Sequence, residues 1–160
     1  MPVIHLETEI VAPIEICFDV ARSIDVHEAA ASKTSERAVA GVTSGLIGLG
    51  ETVTWEAVHF GITQRLTSHI TRYERPHLFV DEMVKGAFHS FTHIHEFKGT
   101  SRGTLMIDEF SYTAPLGLLC RIADRLFLKV YMETFLQERA SHLKHVAEDF
   151  ALLDSGAITS

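Results

Sequence analysis

Between Glu51 and Thr113 the chain runs through five strand-like segments with almost nothing between them, and this spacing constrains the fold more than any other feature. The segments are Glu51 to Phe60, Ile62 to Tyr73, His77 to Lys85, Ser90 to Lys98 and Gly103 to Thr113. Their separators, Phe60-Gly61, Glu74-Arg75-Pro76, Gly86-Ala87 and Gly99-Thr100-Ser101-Arg102, all carry turn chemistry. Parallel strands need a crossover of roughly a dozen residues or more, so links this short dictate an antiparallel meander.

The flanks complete the pattern. Val3 to Val11 alternates Ile4, Leu6, Thr8 and Ile10 with Val3, His5, Glu7 and Glu9, the period of a strand with one polar face. A short helix is expected from Pro13 to about Arg22, where Ile14, Phe18 and Ala21 recur at helical spacing with Cys17 beside them. A second follows over Ile24 to Ala31, with Ser23 or Asp25 as its cap. Glu36 to Val42 reads as a further strand. Gly41, Gly45, Gly48 and Gly50 then interleave with Leu46, Ile47 and Leu49, and no Gly-Lys-Ser/Thr follows to cradle phosphate. This stretch is expected to be a mobile apolar loop, a lid or rim. Pro115 and Gly117 stop the last strand. From about Leu118 to Leu153, Leu119, Ile122, Leu126, Val130, Leu143, Val146 and Phe150 recur at helical steps, giving one long amphipathic helix. Residues 1–153 make one domain, and Asp154 to Ser160 is expected to be a disordered tail.

Composition narrows the function. Apolar residues make up 46% of the 160 and charged ones 22%, enough to build one core and too apolar for disorder. With 14 Lys and Arg against 21 Asp and Glu, the net charge of -7 leaves no basic cluster for nucleic acid or an anionic membrane. The first residues lack a basic and apolar leader, and no run approaches about 18 apolar residues, so the expected location is the cytoplasm, without membrane insertion. Cys17 and Cys120 have no metal-site spacing and read as free thiols.

A strand, two short helices, a long antiparallel run and one long helix form an α+β order with a single sheet and a single large helix. This order resembles the helix-grip fold of the SRPBCC superfamily, which includes START lipid-transfer domains, polyketide cyclases and the birch pollen allergen. The resemblance is sharpest at Trp55-Glu56-Ala57-Val58-His59-Phe60-Gly61, at Phe79 to Phe88, and at His93-Ile94-His95-Glu96-Phe97. It continues through Met106-Ile107-Asp108 and Tyr112-Thr113-Ala114-Pro115-Leu116-Gly117. Together these are similar to a bacterial subgroup known only as ligand-binding proteins, with Ala87 where proline is expected. The resemblance implies a curved sheet of six or seven strands around the C-terminal helix and a cavity for a small apolar molecule between them.

Turn lengths assign the faces. A two-residue Phe60-Gly61 turn sets Trp55 opposite Leu66, and a four-residue loop after Lys98 pairs His93 with Asp108, His95 with Met106 and Phe91 with Phe110. Trp55, His59, Phe91, His93, His95, Met106, Asp108, Phe110 and Tyr112 then share the face toward the helix, while Thr63, Arg65, Thr67, His69 and Thr71 face solvent. A two-residue Gly86-Ala87 turn adds Glu82 to the inner face; a three-residue turn would add Asp81 instead. The other histidines read as surface or rim residues. Imidazoles and a carboxylate on an apolar face need hydrogen-bond partners, so they are expected to pair with one another or to anchor a ligand. Two function classes follow. One is binding of a lipid-like or aromatic molecule; the other is a cyclase- or dehydratase-like enzyme in which Asp108 orients His93 and Tyr112 or His59 polarises a carbonyl. Metal ligation by the histidines with Asp108 is a weaker alternative, and neither a metal nor another cofactor is assigned. A homodimer is left open.

Overall fold

The computed structural model describes residues 1–114 and 122–156. Ten elements follow in order: β1 Val3–Ile10, α1 Ile14–Ala21, α2 Ile24–Ala30, β2 Arg37–Gly41, β3 Thr52–His59, β4 Ile62–Glu74, β5 Leu78–Lys85, β6 Ser90–Thr100, β7 Gly103–Thr113 and α3 Ile122–Asp154. All seven strands join one antiparallel sheet in the order β1-β7-β6-β5-β4-β3-β2. The meander supplies β3 to β7 in sequence order, β1 closes one edge beside β7, and β2 closes the other beside β3. This is the helix-grip architecture that the element order implies.

Local chemistry sets the joints. Phe60 and Gly61 both adopt positive φ, 54° and 73°, the two-residue turn whose twist matches paired strands. A phenylalanine rarely accepts that backbone, and here its ring lies 4.7 Å from Tyr131 and 5.7 Å from Phe127 on α3. The Ser23 hydroxyl caps α2 by accepting from the Val26 amide at 3.3 Å. Asp25 instead accepts from the Gly45 amide at 2.8 Å.

Three expectations are corrected. The β6–β7 turn is Ser101-Arg102 alone, because β6 continues to Thr100, and the pairing therefore slides by two residues: His93 opposes Phe110, and His95 opposes Asp108. An even slide preserves the faces. Second, the glycine-rich segment is tied by backbone hydrogen bonds to the chain at the junction of α1 and α2. Ile47 is buried, its amide donates to the Arg22 carbonyl at 3.1 Å, and the Ile24 amide donates to the Gly45 carbonyl at 2.9 Å. Third, Leu126, Val130 and Phe150 of α3 are exposed, while the buried stripe is Met132, Leu136, Ala140, Leu143 and Ala147. Short alanines rather than large side chains let this helix approach its neighbours. Cys17 is free and buried; Cys120 lies outside the described residues. The expected tail falls partly outside them too. No described helix is long and apolar enough to cross a membrane.

The core divides in two. At one end α1 wedges between sheet and α3, burying Phe18 completely with its ring edge-on to Tyr73, Phe79 and Phe97 at 5.3–5.5 Å. Ile10, Ile24, Ile47, Met106, Leu143 and Ala147 surround this cluster. At the other end Ile4, Phe91, Phe110, Tyr112, Met132 and Leu136 form a second cluster, with no further described helix wedged into it. Removing the wedge residue is expected to be severe. Phe18→Ala should lower the unfolding free energy by about 3–5 kcal/mol in a denaturant titration, whereas a loss under about 1 kcal/mol would show that the wedge carries little load.

Candidate functional site

Among the described elements α3 packs most closely on α1, α2 and β1, and a hollow of about 530 Å³ lies between it and the middle strands. The sheet contributes Trp55, Ala57 and His59 from β3, Leu66 from β4, Asp81 from β5, Phe91 and His93 from β6, and Phe110 from β7. The helix contributes Leu128, Tyr131, Met132, Phe135, Leu136 and Arg139. Gly86 belongs to the wall because a Cβ there would come within 2.4 Å of the Leu66 side chain.

Of the residues expected from sequence, Trp55, His59, Phe91, His93 and Phe110 border this hollow. His95 and Asp108 are buried beside His93. Met106 belongs to the opposite core cluster, and Tyr112 packs behind the wall against Phe88 and Phe110. Glu82 is corrected. It opposes Thr92 across β5 and β6 and accepts from the Thr92 hydroxyl at 3.3 Å on the other face of the sheet. Asp81 opposes His93 and lines the hollow, because the β5–β6 pairing is offset by one residue from that of a two-residue Gly86-Ala87 turn. Arg139 and Glu36 were missed altogether, since polar residues on a long helix or before a weak strand look like solvent-facing ones in sequence. They pair at 2.7 Å across the hollow's edge, and Arg139 lies over the Phe135 ring at 4.7 Å.

The polar groups form three sets. His59 Nδ1 and the Tyr131 hydroxyl share a hydrogen bond of 2.6 Å between sheet and helix. His93 Nε2 donates to Asp108 Oδ1 at 3.1 Å, and His95 Nδ1 lies 2.7 Å from the same oxygen without the alignment of a hydrogen bond. The two imidazoles lean together, with ring centres 3.8 Å apart, and His95 also stacks on Phe79 at 4.2 Å. Burial works to raise the Asp108 carboxyl, but the two imidazoles overcome it and hold the group well below the ordinary range. Burial and the neighbouring His93 push His95 down. The third set is incompletely paired. Asp81 Oδ1 and Arg139 Nε are buried without a hydrogen-bond partner, and burial pushes the Asp81 carboxyl up, eased by the nearby Ser68 hydroxyl.

His27, expected at the surface, is instead half-buried. Its Nε2 donates to the Ala21 carbonyl at 2.7 Å, its ring lies 5.9 Å from Trp55, and burial followed by repulsion from Arg139 pushes it down to about 3.

The fold is a helix grip, shared with several solved structures of low sequence identity. Among solved structures it is similar to the TTHA0849 protein of Thermus thermophilus, with TM-score 0.70 and 18% identity, covering 91% of this chain and 99% of that one. It is similar to a di-domain ARO/CYC protein, StfQ of the steffimycin biosynthetic pathway, with TM-score 0.74 and 12% identity over 93% of this chain and 51% of that one. The major latex-like protein 151 of Panax ginseng aligns with TM-score 0.64 and 12% identity over 91% and 97%. No family model and no curated protein matches the chain.

His27 sets a pH dependence. Its folded value of about 3 lies below the ordinary 6.5, so between these values the unfolded chain binds a proton that the folded chain does not. Stability should therefore fall as pH drops from about 6.5 toward 3, by at most about 1.4 kcal/mol per pH unit from this residue. In unfolding titrations at pH 7 and pH 5, His27→Gln should lose less stability than wild type; equal losses would place His27 in solvent.

Proposed function

We propose that the protein binds a small, largely apolar molecule, lipid-like or aromatic, in the hollow between the sheet and α3. One observation carries this reading: an apolar-walled space of about 530 Å³ is bordered by two half-buried residues, Asp81 and Arg139, each with one buried polar atom that protein atoms leave without a hydrogen-bond partner. Small-molecule pockets run about 300–1,000 Å³ and combine such walls with a few polar anchors. Helix-grip neighbours from a biosynthetic pathway and from plants are in keeping with it. Burial of ligand surface supplies affinity at roughly 25 cal/mol per Å², and Trp55, Phe91 and Phe110 offer flat faces for a ring. Asp81, Arg139 and His93 orient whatever polar end the molecule carries.

A second reading, a cyclase- or dehydratase-like enzyme, draws on the 3.1 Å contact that holds His93 at the hollow's wall. It assigns proton transfer to His93 with Asp108 as its positioning partner. His93→Ala would then abolish turnover of a bound ligand while leaving its affinity within a few-fold; binding with no conversion in wild type removes this reading.

The binding reading has a direct check in Ala57, which is buried on the sheet face of the hollow. Enlarging a residue in a filled core costs about 1–3 kcal/mol. Ala57→Phe should cost under about 1 kcal/mol, because the hollow receives the ring, and should weaken displacement of a hydrophobic fluorophore at least tenfold. A large stability loss with unchanged fluorophore binding would contradict the proposal.

A further inference from the structure

We infer that His93, His95 and Asp108 form a binding site for a divalent first-row transition-metal ion. Each of the three offers one ligand atom, the three atoms lie within 4.8 Å of one another, and all three residues are buried. The arrangement follows from register. His95 sits directly opposite Asp108, and His93 lies two residues before it on the same face, so both rings reach toward one carboxylate. Alternate residues on a strand are about 6.6 Å apart, yet the ring centres close to 3.8 Å.

Two features separate this set from a self-satisfied polar pair. A carboxylate has two oxygens, and two imidazoles that only needed partners could take one each. Here both nitrogens converge on Oδ1, at 3.1 Å and 2.7 Å, and the shorter approach is off the ideal line of a hydrogen bond. Donor atoms around a tetrahedral ion with bonds of about 2.1 Å stand about 3.4 Å apart, a separation of the same order as those found here. The second feature is charge. The described partners of the Asp108 carboxylate are the two imidazoles, with no lysine or arginine among them, and a buried carboxylate is costly without a cation. Two imidazoles and one carboxylate suit zinc, iron, nickel or cobalt better than calcium or magnesium. His93 borders the hollow, which gives an ion a way in and leaves its remaining positions facing that space, and Asp81 stands across from His93 as a further oxygen donor.

The test uses the full chain, stripped with a chelator and then given Zn²⁺ or Co²⁺. Metal retained after desalting is measured by mass spectrometry, and Co²⁺ is followed by its visible absorption. The site predicts stoichiometric retention and a Co²⁺ spectrum that Zn²⁺ displaces. His93→Phe and His95→Phe, which keep ring volume beside Phe79 and Phe110, should each weaken binding at least tenfold, while replacing the helix residues His142 and His145 with Gln should leave it unchanged. If either ring variant fails to fold, NMR of the wild type decides, because Co²⁺ should shift the imidazole signals of His93 and His95. Retention no higher than in a chelated control, retention lost only with His142 and His145, or unshifted His93 and His95 signals would overturn the inference. Fluorophore binding in the hollow is read separately and does not depend on the outcome.

Discussion

The structure depends on a wedge. Phe18, held on an eight-residue helix directly after β1, is fully buried between Tyr73, Phe79 and Phe97, and it props α3 away from the sheet. Near α1 and α2 the gap is filled by Ile10, Ile24, Ile47 and Met106. Beyond them no described element enters, and the same separation becomes open space. One end of the domain spends its apolar side chains on a solid core, so the other end can keep a hollow without losing the fold.

Polar residues are arranged in relation to that division. The His59–Tyr131 hydrogen bond and the Glu36–Arg139 ion pair both tie the sheet side to α3 along the hollow's margin. They add polar ties to the apolar contacts of Met132 and Leu136 at this end. The His93, His95 and Asp108 set lies deeper, at the junction of the hollow and the solid core, with Phe79 on one side and Phe110 on the other. Burial there keeps water from competing for the carboxylate, which is why the two imidazoles can dominate its protonation.

The antiparallel meander of β3 to β7 and the inner face of β3, β6 and β7 were legible from sequence because they rest on period and turn length. The inner face survived an error in one turn: moving the β6–β7 turn from four residues to two changed the partners of His93 and His95 but not the side of the sheet they occupy. The β5–β6 turn had no such protection. One residue there exchanged Glu82 for Asp81, since an odd slip reverses faces. On α3 the apolar pattern alone pointed to Leu126, Val130 and Phe150, yet packing chose the row with Ala140 and Ala147, where close approach was required. Arg139 and His27 gave no local signal. Their burial comes from contacts across more than a hundred residues for Arg139 and from the Ala21 carbonyl and the Trp55 ring for His27.

The central claim is that the space beside Trp55, Phe91 and Leu136 receives a guest. Titrating the isotopically labelled protein with an anilinonaphthalene fluorophore and following amide and methyl signals tests it most directly. Saturable shifts should concentrate at Ala57, Phe91, His93, Met132 and Leu136 and leave the Phe18, Phe97 and Leu143 cluster unmoved. Shifts confined to the exposed side chains of Phe60 and Phe127, or none at saturating probe, would contradict it.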